Sequence, residues 1–206
     1  MSGGRPRGAG VEEGILNAAL GAFCERGFHG ASMREIASRA GVTTANVYNY
    51  FPGKDDLLLA ILRRASADQL AAVEAAVAAT GASVRERFAA AVYAYVRFEA
   101  ERREECLVSA SELRYLGADH RRRIVECRDR EQDIFERLVA RGAAEGVFRT
   151  PHPEQACLAI LTMASGVPLW YRPDGPHGAD DVARRHARYA LALLETVPPI
   201  DIPETT

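Results

Sequence analysis

The sequence of 206 residues has no uninterrupted apolar run near the ~20 residues that a membrane-spanning helix needs. Its first residues, MSGGRPRGAGVEE, also lack the apolar stretch of a signal peptide. Both absences argue against a membrane-spanning or secreted protein, and we expect a cytoplasmic one.

The chain has only four cysteines, which are Cys24, Cys106, Cys127 and Cys157. None forms a CxxC pair, and none lies beside a histidine at the spacing of metal ligands. This pattern predicts reduced, mostly buried thiols, without disulfides, a metal site or a cofactor.

Sequence motifs of common enzyme classes are missing as well. There is no GxSxG, no HExxH, no glycine-rich phosphate loop and no cluster of carboxylates on one helix face. The five histidines lie mostly in turns or charged segments, where surface or capping roles are typical: His29, His120, His152, His177 and His186. We therefore expect a protein that is not an enzyme. A small helical enzyme without a recognisable motif is the rival hypothesis.

What the chain does have is apolar residues at helical spacing along nearly its whole length, which predicts an all-α fold. Glycine and proline fall between the periodic segments and separate them. The predicted helical segments cover about residues 11–26, 32–41, 43–51, 54–79, 83–101, 106–116, 119–144, 154–171 and 179–196.

The stretch GVTTANVYNYF, residues 41–51, is rich in hydrogen-bonding side chains. Before it, Ser32 and Glu35 have the spacing of a capping box that starts a short helix. Gly41 permits a sharp turn, and Thr43 can cap a second helix. A short helix, a glycine turn and a second helix with a polar outer face predict a helix-turn-helix, whose second helix lies in the DNA major groove.

Charge is distributed unevenly along the chain. Through Lys54, which is the only lysine, there are six basic and four acidic residues, net +2, whereas the rest has 20 basic and 24 acidic residues, net −4. A mildly basic N-terminal module on an acidic body suits DNA binding. We predict a flexible basic arm (1–10), a helix-turn-helix DNA-binding domain (11–53), a helical ligand-binding and dimerisation domain (54–197) and a frayed tail (198–206).

Gly27-Phe28 is followed by IASRAGVT at residues 36–43 and by YNYFPGKDDL at residues 48–57. This pattern resembles the DNA-binding domain of TetR-family transcriptional regulators. The resemblance implies a repressor that binds a pseudo-palindromic, double-stranded operator. It implies phosphate contacts from Thr43, Tyr48, Tyr50 and Lys54, and groove contacts from Arg34, Thr44, Ala45, Asn46 and Asn49.

The recognition helix departs from the family pattern in its charge. Many family members have lysine where this chain has Thr44, and no basic residue lies between Gly41 and Phe51. Hydrogen bonds then have to read the bases, while Arg34, Lys54 and the helix ends supply the positive charge. One alternative for the tyrosines stays open, which is that Tyr48 or Tyr50 is a half-buried packing residue. The basic arm at residues 5–7 could reach a neighbouring groove, and the alternative is that it is disordered and makes no DNA contact.

The resemblance also implies a homodimer formed by the last two helices of each subunit, with two recognition helices ~34 Å apart. The small and apolar residues on these helices fit such a role: Leu158, Leu161, Ala164, Ser165, Tyr189, Ala192 and Leu193. Burial within one subunit is the alternative. In the family pattern, helices four to seven enclose a small-molecule pocket. Filling this pocket shifts the fourth helix and releases the operator.

The segments ELRYL (112–116) and WYRPDG (170–175) are similar to TetR-type regulators of fatty-acid and steroid degradation that respond to acyl-CoA thioesters. Such an effector needs an apolar tunnel, for which the candidates are Phe88, Val92, Tyr95, Leu113 and Met163. Its phosphates need cations, for which the candidates are Arg114, Arg121 and Arg128. Two alternatives remain. In the first, the apolar candidates belong to the core and the arginines to the solvated helix surface. In the second, the chain regulates drug efflux and binds an aromatic or cationic compound.

Overall fold

The computed structural model describes residues 7–195, and all regular structure in this range is helical. A single 3₁₀ turn, Leu113–Tyr115, follows the sixth helix. The helices are α1 (Arg7–Gly30), α2 (Met33–Arg39), α3 (Thr44–Tyr50), α4 (Lys54–Ala79), α5 (Val84–Glu101), α6 (Arg103–Glu112), α7 (Ala118–Ala144), α8 (Pro153–Ser165), α9 (Val167–Trp170) and α10 (Ala179–Glu195). The prediction of an all-α fold is confirmed for this range. Residues 7–10 of the predicted flexible arm are helical and belong to α1, whereas residues 1–6 and the predicted tail (198–206) lie outside the described residues.

Local signals place the helix ends near their predicted positions. Gly27 has a φ of 68°, which interrupts α1 one residue after its predicted end, and Gly41 has a φ of 67° in the turn between α2 and α3. Ser32 Oγ accepts the Glu35 N–H at 3.2 Å, and Thr43 Oγ1 accepts the Asn46 N–H at 3.1 Å. These hydroxyls satisfy amides that the first turn of a helix leaves without partners.

One predicted helix, 154–171, is two helices in the structure. α8 ends at Ser165, Gly166 serves as its C-cap, and the short α9 begins at Val167. Pro168 has no N–H to continue the hydrogen-bond ladder of α8, and its ring crowds the preceding turn. The prediction of one continuous helix is therefore wrong at this point, although both pieces are helical.

The chain forms two compact units. Within the described residues, unit 1 consists of residues 7–68 and 102–128, and unit 2 consists of residues 69–101 and 129–195. α4 and α7 each contribute residues to both units. The domain boundary that we predict after residue 53 divides the chain differently and stays a prediction.

Unit 1 has a core in which α2 packs on α1 and α3, and α6 packs on α1. Its fully buried large side chains come from α1, α2, α4 and α7: Ile15, Phe23, Ile36, Leu57, Leu58, Ile61, Leu62 and Ile124. Because α2 and α3 have only seven residues each, this packing and their caps, and not helix propensity, hold them.

Unit 2 has a separate core, in which α5 packs along α10 and also against α8 and α9. Phe88 meets Phe135 and Phe148 edge to face, with ring centroids 6.2 Å and 5.5 Å apart. No helix among residues 7–195 combines the length and the apolarity needed to cross a membrane.

Candidate functional site

The recognition helix α3 is anchored by one side chain and exposes a polar face. Val47 is completely buried in the unit 1 core. Ala45, Tyr48 and Asn49 are exposed and follow one another at i, i+3 and i+4, so they share one side of the helix. Asn46 is half-buried. Val47 therefore fixes α3 in place, while the phenol of Tyr48 and the amide of Asn49 are free to hydrogen-bond to an external partner.

An open groove of about 730 Å³ runs along α2 and the start of α3. Arg34, Thr43 and Thr44 line it together, so the structure brings three of the predicted DNA-contacting residues to one surface. Arg34 is exposed and forms no ion pair with any residue in the range 7–195. Its guanidinium is therefore available to an anion.

The other two arginines of this groove are held by carboxylates. Arg39 donates to Glu25 at 2.6 Å and to Glu35 at 2.8 Å, and Arg26 lies 3.2 Å from Glu35. The hydrogen bond from Arg39 lowers the pKa of Glu25 below its usual value, and Glu25 raises the pKa of Arg39 in turn. Glu35, predicted as half of a capping box, thus carries an ion-pair network that ties α2 to α1.

The two tyrosines of α3 differ in their surroundings. Tyr48 is 51% exposed, whereas Tyr50 is half-buried and packs against the unit 1 core. The packing alternative therefore describes Tyr50, and Tyr48 stands free toward solvent. Phosphate contact by either hydroxyl stays a prediction.

Lys54 has a structural partner set that its sequence position does not reveal. Its Nζ donates to the carbonyl oxygens of Phe28 at 2.7 Å and Ala31 at 2.8 Å, and lies 3.5 Å from the carbonyl oxygen of His29. The ammonium also lies 4.8 Å from the centroid of the Phe28 ring. Because an ammonium has three protons, these carbonyls occupy its donors. Lys54 clamps the end of α1 onto the start of α4.

Glu112 is a buried carboxylate that sequence reasoning does not single out as a site residue. It is 7% exposed, and its Oε2 accepts the N–H of Phe28 at 2.9 Å. The two residues are 84 positions apart. The sequence signal for it is weak: Glu105, Ser109 and Glu112 recur at i, i+4 and i+7 on α6 and are all buried.

The predicted ligand residues of unit 2 form a packed aromatic and aliphatic group. Phe88 and Val92 belong to the core, and the ring of Tyr95 meets that of Phe135 edge to face at 5.8 Å. Met163 is half-buried on α8. This packing agrees with the core alternative, and a role in ligand binding stays a prediction.

The predicted ligand residues of unit 1 have partners of their own. Leu113 packs partly buried against the unit 1 core, and Arg114 lies over the Tyr115 ring at 5.1 Å. Arg128 donates to Ser109 Oγ at 2.7 Å and to the Ser109 carbonyl at 3.1 Å. Arg121 is exposed. Phosphate binding by these arginines likewise stays a prediction.

Unit 2 contains a groove of about 410 Å³ that sequence reasoning does not identify. It is lined by aliphatic side chains of α4 and α7, by three arginines and by one glutamate: Val77, Ala78, Ile134, Leu138, Arg87, Arg137, Arg141 and Glu74. Arg141 donates to Glu145 at 2.6 Å, and Arg87 Nε donates to the Gly81 carbonyl at 2.7 Å. Arg137 is exposed and has no ion pair within residues 7–195. A lining of apolar side chains and arginines suits an anion that has an apolar part.

The apolar surface left open on the described part of the chain is concentrated on α8, α9 and α10. Leu158 is 62% exposed and Leu169 is 69% exposed. Five of the seven exposed large apolar side chains among the described residues lie on these helices: Leu158, Leu169, Trp170, Tyr189 and Leu193. Ser165 is exposed and Leu161 is half-buried, so these predicted interface residues reach the surface of unit 2, whereas Ala164 is buried in its core and does not.

All four cysteines are free thiols, and no group of three histidine, cysteine or carboxylate residues within the described range has metal-binding geometry. Cys127 and Cys157 are buried, Cys106 is half-buried and Cys24 is exposed. The expectation of mostly buried thiols therefore fails for Cys24. Burial raises the pKa of Cys157 to about 11, so this thiol is protonated at neutral pH.

Two profiles of known protein families match the chain, one in its N-terminal part and one in its C-terminal part. A family profile for bacterial regulatory proteins of the tetR family matches residues 15–61, and one for the tetracyclin repressor-like C-terminal domain matches residues 81–194. The transcriptional regulator RutR of Escherichia coli K12 is 39% identical over 92 residues, which cover 44% of this chain and 40% of RutR. The repressor KstR2 of Mycobacterium tuberculosis is 25% identical over 179 residues, which cover 86% of this chain and 89% of KstR2.

Solved structures resemble this chain over a larger share of its length than these sequence relatives do. A tetR-family regulatory protein from Rhodococcus RHA1 superposes with a TM-score of 0.83 and 28% identity, covering 91% of this chain and 98% of that protein. AibR in complex with isovaleryl coenzyme A and operator DNA superposes with a TM-score of 0.77 and 23% identity, covering 90% of this chain and 98% of AibR. At that identity the likeness to AibR concerns the fold alone.

Proposed function

The chain belongs to the TetR family of bacterial transcriptional regulators, and we propose that it is a repressor that a small-molecule effector releases from its operator in the cytoplasm. As a member of a family of regulators, it is not an enzyme. The observation that carries the proposal is the exposed polar face of α3 on its buried Val47 anchor, beside the groove that Arg34 shares with Thr43 and Thr44.

The DNA-reading surface combines few charges with many hydrogen-bonding groups. Asn49 is exposed and suits the edge of an adenine base, which offers both an acceptor and a donor. Arg34, Thr43 and Tyr48 suit phosphate oxygens. With Lys54 engaged by backbone carbonyls, Arg34 is the cation of this surface with no ion pair in the described part of the chain. We therefore expect a shallow salt dependence of operator binding for a protein of this type.

A homodimer formed through α8 and α10 supplies the second recognition helix. Leu158 and Ser165 lie seven residues apart on α8, and Tyr189 and Leu193 lie four residues apart on α10, so each pair shares a helix face. Exposed leucine and aromatic side chains of this density are typical of an interface and not of a monomer surface. A two-fold arrangement of such faces matches a pseudo-palindromic operator.

For the effector we propose an acyl-CoA thioester of lipid or steroid catabolism. The ELRYL and WYRPDG segments support this class, and the fold is compatible with it, because AibR has the same fold and its complex contains isovaleryl coenzyme A. The groove of unit 2 supports it independently, because Ile134 and Leu138 suit an alkyl part while Arg137 and Arg141 suit a phosphate or carboxylate. A cationic drug would meet three arginines around this groove, which argues against the efflux alternative.

The DNA-binding proposal is tested by gel shift with the DNA upstream of the chain's own gene against unrelated DNA of equal length. A sequence-selective complex whose affinity falls with salt is expected. Asn49→Ala should relax base preference, whereas Gln132→Ala, an exposed amide on α7, should leave binding unchanged. Failure to find a selective complex with any upstream fragment would rule the repressor out.

The effector proposal is tested on the protein–operator complex with acyl-CoAs of short, medium and long chain, free fatty acids and cationic drugs. Release by thioesters alone is the expected result, and release by drugs alone would instead establish the efflux alternative. Arg137→Gln should raise the thioester concentration that gives half-release by about tenfold, the cost of one charge-assisted contact. Arg149→Gln, which changes an exposed arginine outside the groove, is the matched control.

A further inference from the structure

The corner between α1 and α2, residues 27–31, is held by two side chains of opposite charge. Gly27, at a φ of 68°, turns the chain out of helical geometry, and the next N–H, that of Phe28, donates to Glu112 Oε2 at 2.9 Å. The carbonyls of the same corner accept from Lys54 Nζ at 2.7 Å and 2.8 Å. An anion therefore satisfies the donor of this corner while a cation satisfies its acceptors.

Aromatic contacts reinforce the attachment of α6 to this corner. The Tyr115 ring, in the 3₁₀ turn directly after Glu112, stacks on the Phe28 ring with centroids 5.7 Å apart. It also meets the His29 ring edge to face at 4.4 Å. The hydrogen bond from Phe28 N–H to Glu112 and the ring contacts with Tyr115 together leave the corner little freedom to move independently of α6.

The orientation of α6 is itself set by directional polar contacts. Glu105 lies 3.8 Å from Arg64 of α4, and Ser109 Oγ accepts from Arg128 of α7 at 2.7 Å. Glu105, Ser109 and Glu112 occupy one stripe of α6 and are all buried. A rotation or shift of α6 would break these contacts together, because buried polar groups need their partners in place.

We infer that Glu112 is a positioning residue for operator binding, which holds the α1–α2 corner in the conformation that presents α3. The corner leads directly into Ser32, the N-cap of α2, and α2 carries α3. Phe28 and Lys54 lie in the region matched by the N-terminal profile, whereas Glu112 lies in that matched by the C-terminal profile. The Glu112 carboxylate thus links the region of the C-terminal profile to the corner that precedes the helix-turn-helix. The inference rests on the proposed function, that the chain binds operator DNA.

The test compares Glu112→Ala with Glu104→Ala, which removes the same charge from an exposed position on the same helix. Loss of a negative charge alone strengthens binding to DNA or leaves it unchanged. Loss of the corner contact should weaken operator binding by about tenfold or more, the effect of one lost hydrogen bond. Of the two variants, only Glu112→Ala should therefore weaken operator binding. Glu112→Gln keeps an oxygen acceptor and should restore affinity to within about threefold of the wild type.

Amide hydrogen exchange of the free protein gives a second readout that needs no DNA. Exchange at Phe28 should be faster by about tenfold in Glu112→Ala and unchanged in Glu104→Ala and Glu112→Gln. Equal operator affinity for the two alanine variants, or equal exchange at Phe28, would overturn the inference, as would a glutamine variant as weak as the alanine one. A wild-type chain that binds no upstream DNA would instead refute the proposed function, while the exchange data would still decide whether Glu112 holds the corner.

Discussion

Replacing Lys54 by methionine separates a structural clamp from a phosphate contact. Methionine keeps most of the aliphatic stem and removes the ammonium that bonds the Phe28 and Ala31 carbonyls at 2.7 Å and 2.8 Å. It also removes the cation from above the Phe28 ring. If the clamp is the main role of Lys54, the variant should lose stability, and operator binding should weaken only because the α1–α2 corner loosens.

The size of the loss follows from the contacts that disappear. A hydrogen bond to a charged group contributes about 1.5–3 kcal/mol, and a partly exposed cation–π contact about 0.5–1 kcal/mol. Water can replace part of this at a half-buried corner, so we expect a loss of about 2–4 kcal/mol in the free energy of unfolding. For a chain of this length that is a fall in Tm of about 4–16 °C.

The assay combines thermal unfolding with operator affinity at several salt concentrations. A clamp predicts a lower Tm and a salt slope equal to that of the wild type. A phosphate contact predicts an unchanged Tm and a slope smaller by about 0.9 for each protomer. Arg63→Met, an exposed arginine on the same helix, controls for the loss of one charge. A Lys54→Met protein with wild-type Tm and a reduced slope would refute the clamp.

Two further predictions concern packing. Gly142→Ala should lower the free energy of unfolding, measured by chemical denaturation, by about 1–3 kcal/mol, because a Cβ would lie within 2.9 Å of three ring carbons of the buried Phe148. Gly14→Ala is the matched control, since a Cβ there meets open space within a helix and should raise the free energy of unfolding by about 0.5–1 kcal/mol. Leu193→Asp should halve the mass measured by light scattering, whereas Val125→Asp, an exposed valine outside the α8–α10 surface, should leave a dimer. Stabilisation by both alanines, or equal masses for both aspartates, would contradict these arguments.

The helix-turn-helix was predictable because its signals act within four residues. Ser32 and Thr43 cap the helices that follow them, and Gly41 turns the chain between them, as their local spacing predicts. The apolar period also identifies Val47 as the inward side chain of α3. Each of these features depends on neighbouring backbone atoms, so the sequence carries the information directly.

The ligand surface was harder to predict because residue type does not distinguish a tunnel wall from a core. Phe88 and Val92 suit either role by composition, and the structure places both in the unit 2 core. The arginines that line the groove come from α5 and α7, and only packing brings Arg87 and Arg137 to one place. The break at Gly166 was visible as a proline two residues later, but the apolar period continues through it.

By itself the sequence determined an all-α chain with a capped helix-turn-helix and a recognition helix without a basic residue. Only the tertiary structure decided that Lys54 bonds carbonyls 23 to 26 residues away and that Glu112 bonds an amide 84 residues away. The physical reason is one of range. Caps and periodicity arise from contacts within one or two helical turns, whereas the partner of a buried charge depends on which helices the core brings together.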